Sequence, residues 1–354
     1  SRRRDLQVLA ALAFARLLLH LATNHQYGFH RDEFAVLDDA RALAWGYVAY
    51  PPLVPFLADL SMQAFGDSLS AFRVPAAIAQ ALATLMAGLV ARELGGRRFA
   101  QVVAAVAVAC VPFSLLAGSM LQYVGPDYLW WVLAAWVLLR LANGGDRRWW
   151  LALGLVVGLG MLTRYTMLIA ALGIAVGVLA TPALRRQLAT PWPWAGVALS
   201  LLLFAPNAWW QWRHDFVYLD FVAHIHARDV RIGRTDGFLS GQLLVGAGPL
   251  LVPLWIAGLG WLALAKSARP WRGLAWWYAT SITFRGDLQV HIPHDLLPHR
   301  RRRNRNGQGR DDDHGHGHGH AVPAVSGGSG VNENEENLSS EHVPSVHAEG
   351  HDSE

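Results

Sequence analysis

Long apolar runs separated by short polar gaps make up the first 280 residues of the chain. A helix that crosses a membrane needs about 20 mostly apolar residues, and eight runs approach or reach that length. They cover residues 6–23, 74–91, 99–118, 128–142, 149–163, 166–181, 192–210 and 244–265. A ninth candidate begins at Trp271 and loses its apolar character at Arg285. The pattern predicts an all-α, polytopic transmembrane helical bundle of about eight or nine spans.

The polar gap after the first run is long and contains a further apolar segment, residues 53–66. This segment is too short to cross a membrane. A short apolar helix at such a place is expected to lie along the membrane interface. We therefore expect a first loop that carries interfacial helices.

The charged residues divide between alternate gaps and so predict the orientation of the chain. Arginine pairs occupy one set of gaps, at Arg97/Arg98, Arg147/Arg148 and Arg185/Arg186. Gaps rich in arginine remain cytoplasmic in multi-span proteins. The other gaps hold Asp32, Glu33, Asp38, Asp39, Asp127 and Arg164. We expect a multi-pass protein of the cytoplasmic (inner) membrane, with its N-terminus inside and its acidic loops outside.

Composition agrees with a protein whose main partner is the lipid bilayer. The 354 residues are 53% hydrophobic and 16% charged, and they include 16 Trp. The net charge of +4 reflects the arginine pairs, which suit anionic lipid headgroups, so no nucleic-acid binding is inferred. The first run follows Arg2, Arg3 and Arg4 and is interpreted as a retained helix rather than a cleaved signal. Cys110 is the only cysteine, which excludes an intrachain disulfide, and we expect a buried structural thiol.

The composition changes sharply near residue 281, which predicts two regions. Residues 1–280 form an incomplete transmembrane domain, and residues 281–354 form a polar tail, rich in His and Gly, that is expected to be disordered. Three interpretations of the tail stay open. The alternating histidines of residues 314–320 could bind a divalent metal, the tail could be natural, or a shifted reading frame could have truncated the membrane domain. The abruptness of the change favours the third.

The first loop carries adjacent carboxylates, Asp32 and Glu33, just beyond the first span. A carboxylate at the membrane surface can act as a general base, although an ordinary solvated pair fits the spacing equally well. Tyr50, Pro51 and Pro52 predict a rigid turn, because each proline fixes its φ angle. That turn could position a neighbouring side chain or simply begin a helix.

Asp127 and Arg164 lie at the external ends of neighbouring spans. The simplest role for Asp127 is to stabilise the start of its helix, where a carboxylate suits the positive end of the helix dipole. Arg164 is a charge at membrane depth, which is costly without a partner or a function. A guanidinium suits an anionic group such as phosphate. No metal site is predicted, because His224 and His226 do not share a helix face.

Six stretches in order along residues 5–280 together resemble the polyprenyl-phosphate-sugar dependent glycosyltransferases of the GT-C class. They are HRDEF at 30–34, GYVAYPPLVPFL at 46–57, FGDSLSAFRVPAA at 65–77, PDYLWW at 126–131, GLGMLTRYTMLI at 158–169 and APNAWWQWRHDF at 205–216. The most similar group is the bacterial relatives of dolichyl-phosphate-mannose protein mannosyltransferase, including the lipid A aminoarabinose transferases.

This resemblance implies a GT-C type fold and transfer of a sugar from a polyprenyl-phosphate donor to an envelope lipid, glycan or protein acceptor. It implies that Asp32 is the base, with Glu33 as its paired acid. It implies that Asp127 is a second acid near the acceptor or a divalent metal, for which no separate support is found, and that Arg164 holds the donor phosphate. Tyr50 stands where the aminoarabinose transferases have Lys, and the later spans of the family are replaced by the tail.

Two other classes of protein remain as alternatives. A transporter would show internal repeats or charged groups near the membrane midplane, whereas here no repeat is evident and the polar candidates gather at one surface. A truncated, non-catalytic membrane protein is consistent with the abrupt tail. The absence of GxSxG, HExxH, Walker A and GxGxxG motifs gives no support to hydrolase, protease or nucleotide chemistry.

Overall fold

A computed structural model describes residues 2–233 and 251–290, with side chains up to residue 282. The helices of the first half are α1 Arg2–Thr23, α2 Arg31–Arg41, α3 Leu53–Phe65, α4 Leu69–Glu93, α5 Arg98–Cys110, α6 Pro112–Ser119 and α7 Val124–Ala142. They are followed by α8 Trp149–Thr163, α9 Met167–Ala180, α10 Pro182–Arg185, α11 Pro191–Arg213, α12 Val217–Arg231, α13 Val252–Leu264 and α14 Arg272–Val290. Short 3-10 helices lie at Arg186–Ala189 and Lys266–Trp271. The described parts of the chain contain no strand, so the all-α class is confirmed.

Local sequence signals explain where the helices nearest the first loop begin and end. His30 caps α2 and accepts a hydrogen bond from the amide of Asp32, while Glu33 bonds back to the amide of His30. Ser68 caps α4 by accepting from the amide of Ala71. A proline at the first helical position suits α6, because its missing N–H would have no intrahelical partner there.

Helix α4 lies at the centre of the bundle and packs against α1, α5 and α7. Elsewhere glycines allow close contact between helices, as small residues do in membrane proteins. A Cβ on Gly154 of α8 would lie 2.1 Å from the carbonyl oxygen of Gly196 of α11. A Cβ on Gly177 of α9 would lie 2.5 Å from the carbonyl oxygen of Gly273 of α14. These contacts join the second half of the bundle.

Two described helices are individually long and apolar enough to cross a membrane, Arg2–Thr23 and Leu69–Glu93. Two bent pairs raise the number to four if each pair is one span: Arg98–Cys110 with Pro112–Ser119, bent by 61°, and Met167–Ala180 with Pro182–Ala189, bent by 95°. Such helices are those of an integral membrane protein. The polytopic class is confirmed, while the count of eight or nine spans stays a prediction.

The predicted run 99–118 is not one straight helix, because it breaks at Val111 before Pro112. Cys110, at the end of α5, is exposed, so the expectation of a buried thiol was wrong.

The predicted domain boundary at residue 281 lies inside α14, which runs to Val290. Residues 291–354, with the histidine run, lie outside the described residues, so the boundary and the nature of the tail stay predictions.

Candidate active site

The two adjacent carboxylates in the first turn of α2 lie in different environments. Asp32 keeps 53% of its side chain exposed, whereas Glu33 is fully buried at 0%. The oxygens of Asp32 have only long contacts, 3.3 Å to the amide nitrogen of Gln122 and 3.5 Å to Nε of Arg31. Of the two acids, Asp32 is therefore the one that an incoming substrate can reach.

Glu33 is instead the centre of a buried hydrogen-bond network. Its carboxylate accepts from Nε and Nη2 of Arg73, at 2.9 and 2.5 Å. It also accepts from the backbone amides of His30 and Leu121, at 2.9 and 2.8 Å. Four donors occupy its two oxygens, and Arg73 is 3% exposed. All four donors belong to the protein, so the carboxylate of Glu33 is held by hydrogen bonds within the fold.

Arg73 also holds the backbone that precedes α2. Its guanidinium donates to the carbonyl oxygens of Asn24, Tyr27 and Gly28, at 2.7, 3.3 and 2.9 Å. The Arg73–Glu33 pair thus ties the end of α1, the start of α2 and the segment at Leu121 to helix α4. This arrangement sets the place from which Asp32 projects.

The segment between α6 and α7 connects the first loop to Arg164. Leu121 donates to Glu33, Gln122 donates to Asp32, and the ring of Tyr123 lies 4.7 Å from the guanidinium carbon of Arg164. Successive residues of one short segment therefore contact both acids of the first loop and the arginine.

Arg164 follows directly after α8, with an extended backbone (φ −158°). Its side chain is 29% exposed, and its Nη1 lies 3.7 Å from Oδ2 of Asp127, which is nearly buried. Asp127 lies in the first turn of α7 and accepts a 3.2 Å bond from the indole of Trp131. The 3.7 Å separation is longer than a hydrogen bond, and a guanidinium has five N–H donors with which it can bind an anion.

The Tyr50-Pro51-Pro52 turn is buried, and Pro52 directly precedes α3. The hydroxyl of Tyr50 donates a 2.6 Å bond to Oδ2 of Asp39. Burial raises the pKa of both groups, and the neighbouring Asp39 raises that of Tyr50 further. Tyr50 therefore stays neutral, and it lies 6.3 Å from Tyr123 between ring centroids. It packs near Tyr123 and supplies no positive charge to the site.

Helix α11 fastens the rest of the first loop beside Arg164. Asn207 donates a 2.8 Å bond to the carbonyl of Trp45 and accepts a 3.0 Å bond from the hydroxyl of Tyr165. Gln211 donates to that same hydroxyl at 2.9 Å. The ring of Tyr218 lies 4.1 Å from that of Tyr165, and burial raises the pKa of Tyr218 to about 12 against the opposing charge of Arg164. The rings of Tyr123 and Tyr218 thus both lie near the arginine.

Two apolar cavities border these residues. One, of about 480 Å³, lies between α3, α4, α7 and α8, and Pro126 and Trp130 next to Asp127 line it. The other, of about 460 Å³, is lined by Trp45, Pro52 and Leu162, and Leu162 lies two residues before Arg164. Residues close in sequence to Asp127 and to Arg164 therefore line apolar cavities. Within residues 2–233 and 251–290, no group of three or more His, Cys, Asp or Glu side chains could hold a metal ion.

Part of the chain is similar in sequence to known sugar transferases. Residues 49–210 match the sequence profile of the dolichyl-phosphate-mannose-protein mannosyltransferase family. A stretch of 124 residues is 33% identical to the undecaprenyl phosphate-alpha-4-amino-4-deoxy-L-arabinose arabinosyl transferase of Pseudomonas aeruginosa strain UCBPP-PA14, and it covers 33% of this chain and 22% of that protein. The same figures hold for the Pseudomonas paraeruginosa (strain DSM 24068 / PA7) protein of that name. No solved structure matches the chain significantly.

The fold and the charged site together define an integral membrane helical bundle with a polar site at one end. Over residues 49–210 this bundle is similar to the dolichyl-phosphate-mannose-protein mannosyltransferase family, which confirms the resemblance drawn from the motifs. The chain spans about a fifth of the length of the curated relatives it matches, since 22% of each is covered. Asp127, Arg164 and the Tyr50 turn lie inside the matched stretch, whereas Asp32 and Glu33 precede it.

The structure brings together the site residues predicted from the sequence and adds others. Asp127 and Arg164 form a pair, and Asp32 is joined to them through Gln122 and Tyr123. The sequence analysis missed Arg73, although it lies inside the FGDSLSAFRVPAA stretch. A charge within an apolar run was the available signal.

Proposed function

We propose that the whole protein transfers a sugar from a polyprenyl-phosphate donor to a cell-envelope lipid, glycan or protein acceptor. The observation that carries this proposal is the placement of Arg164. Its guanidinium is partly exposed, and one short segment links it to the exposed carboxylate of Asp32. Residues close in sequence to Asp127 and to Arg164 line two apolar cavities. A cation, an apolar groove and a reachable base are the groups that a lipid-phosphate donor and a hydroxyl or amine acceptor require.

In the proposed reaction, Asp32 takes the proton of the acceptor as its oxygen or nitrogen attacks the anomeric carbon of the sugar. The bond between that carbon and the phosphate oxygen breaks, and the electron pair leaves with the polyprenyl phosphate. Arg164 stabilises the negative charge that builds on this phosphate. Asp127 orients the guanidinium, and Glu33 positions the loop that carries Asp32.

The proposed place of the reaction is the external face of the cytoplasmic membrane. The arginine pairs at Arg97/Arg98, Arg147/Arg148 and Arg185/Arg186 support an inside position for the opposite ends of the helices. With that orientation the end of α1, the start of α7 and the end of α8 face outward, where polyprenyl-linked sugars meet envelope acceptors.

Replacement of Arg164 by alanine tests the phosphate role. We expect affinity for undecaprenyl phosphate to fall by about ten- to a hundredfold, because a charge-assisted hydrogen bond to phosphate is lost. Arg164→Lys should keep part of the affinity, since it retains the charge without the guanidinium geometry. Binding can be measured by titration of the detergent-solubilised full chain.

The matched control is Arg31→Ala, which removes an exposed arginine of α2 from the same region. It should leave the affinity within about twofold, since an exposed charge contributes little. Equal affinity in wild type and Arg164→Ala would contradict the proposed role of Arg164 in holding the donor.

A further inference from the structure

Two polar side chains of α1 and one directly after its last residue form a buried stripe, although the helix is apolar enough to span a membrane. Arg16, His20 and Asn24 follow one another at intervals of four residues, so they lie on one face. They are 4%, 2% and 3% exposed. A charge at this depth is costly and marks a functional position unless it is satisfied. The groups that these three side chains contact therefore indicate the role of the stripe.

Arg16 holds the break between α5 and α6. Its guanidinium donates to the carbonyl of Val108 at 3.2 Å and to both the carbonyl and the hydroxyl of Ser114 at 2.8 Å. In an unbroken helix the carbonyl of Val108 would accept from the amide of residue 112, but that residue is Pro112 and has no N–H. Arg16 supplies the missing donor.

The same guanidinium extends the network to the start of α7. It donates to Thr84 at 2.7 Å and to the side-chain oxygen of Gln80 at 3.3 Å. Ser114 donates to that oxygen at 2.7 Å, and Gln80 in turn donates to the carbonyl of Gly125 at 3.0 Å. Gly125 lies two residues before Asp127, so the network ends at the site.

The other two residues of the stripe hold the far end of α6. Asn24 donates a 3.1 Å bond to the carbonyl of Gly118. The ring of His20 packs so closely on Gly118 that a Cβ there would lie 2.3 Å from its Nε2. Helix α6 is thus fixed by α1 at both Ser114 and Gly118, immediately before the segment that carries Gln122 and Tyr123.

We propose that the Arg16–His20–Asn24 stripe is a positioning element that fixes α6 and thereby residues 120–127, the segment that links Asp32, Arg164 and Asp127. The effect of the stripe on sugar transfer rests on the proposed function, whereas its effect on the position of residues 120–127 does not. The stripe lies on a helix that supplies no group to the substrate, so it acts only through the residues it holds.

Hydrogen–deuterium exchange of the full chain in lipid nanodiscs tests the positioning directly. In Arg16→Gln we expect the amides of residues 113–127 to exchange about tenfold faster or more, while those of α8 stay unchanged, because only the local unit loses its hydrogen bonds. Ser114→Ala, which removes a smaller part of the network, should accelerate the same amides by less. It serves also as the test if Arg16→Gln does not fold.

Arg140→Gln provides a control, since it removes an arginine at the opposite end of α7 that pairs with Glu93. It should leave the exchange of residues 113–127 unchanged. Unchanged exchange of that segment in both Arg16→Gln and Ser114→Ala would overturn the proposal.

Kinetics separate a positioning role from a general loss of structure. Arg16→Gln should lower kcat about tenfold or more and change the donor KM less than about threefold, because Arg164 lies on another element and still holds the phosphate. Arg16→Lys should restore part of kcat. If the loss of activity instead matched the loss of folded protein, with kcat per folded molecule unchanged, the stripe would contribute to stability alone. Faster exchange in a protein that transfers no sugar would leave the positioning intact and contradict only the proposed function.

Discussion

Replacement of Asp32 by asparagine is expected to lower the rate of sugar transfer by about 10²–10⁴-fold, which is the usual contribution of a positioned general base. The carboxylate is about half exposed, at 53%, and its hydrogen bonds to Gln122 and Arg31 are long. Asparagine has the same shape but cannot accept the proton of the acceptor. Transfer of labelled sugar by the purified full chain measures the effect.

Asp38→Asn is the matched control, because it makes the same change at an exposed position of the same helix. We expect its rate of sugar transfer to stay within about threefold of wild type, because substitutions of exposed residues outside the site have small effects. The affinity of Asp32→Asn for the donor should also equal that of the wild type, since Arg164 is intact. Full transfer by Asp32→Asn would remove Asp32 from the role of base.

Replacement of Arg73 by methionine is expected to destabilise the fold by about 3–5 kcal/mol, because it leaves Glu33 as an uncompensated buried charge. The two side chains are 4% and 0% exposed, so solvent cannot take the place of the lost partner. Reversible unfolding in detergent micelles, or the shift of the thermal midpoint where unfolding is irreversible, measures the loss.

A surface ion pair of this chain provides the comparison. Arg98 pairs with Asp5 at 2.5 Å, but the two side chains are 51% and 22% exposed. Arg98→Met should therefore cost about 1 kcal/mol or less. If Arg73→Met were no more damaging than Arg98→Met, the buried pair would not be the anchor of the first loop.

Glu33→Gln separates positioning from proton transfer at the second acid. If Glu33 anchors the loop, the substitution lowers stability and transfer together, and added osmolyte or lower temperature restores both. A stable protein that transfers no sugar would instead identify Glu33 as a group that exchanges a proton. The geometry predicts the first result, because four donors already occupy its oxygens.

The helical class and the proximity of Asp127 to Arg164 could be predicted from the sequence. Apolar runs reveal helices directly, and a residue at the start of one span meets a residue at the end of the antiparallel neighbour. The exposure of Asp32 and the burial of Glu33 could not be predicted, because they depend on which face of α2 is turned towards Arg73 of α4. Adjacent residues of a helix point in different directions, so one of the two acids is exposed and the other is buried.

Several features that the sequence analysis missed left a visible signal. Arg16 and His20 interrupt an apolar run at a spacing of four residues, which indicates a shared polar face. Pro112 interrupts the run 99–118 and indicates a break. The partners of these residues were beyond prediction, because they depend on contacts between distant helices, such as Arg16 with Ser114.

The measurement that tests the central claim most directly is transfer by the full chain in proteoliposomes, with labelled sugars attached to undecaprenyl phosphate as donors and an envelope lipid and glycan extract as acceptor. The account predicts that label moves to the acceptor, that this transfer requires the lipid-phosphate donor, and that unlabelled undecaprenyl phosphate competes with it in wild type but far less in Arg164→Ala. Absence of transfer from every lipid-phosphate sugar offered, or equal transfer when a nucleotide sugar replaces the lipid donor, would contradict it.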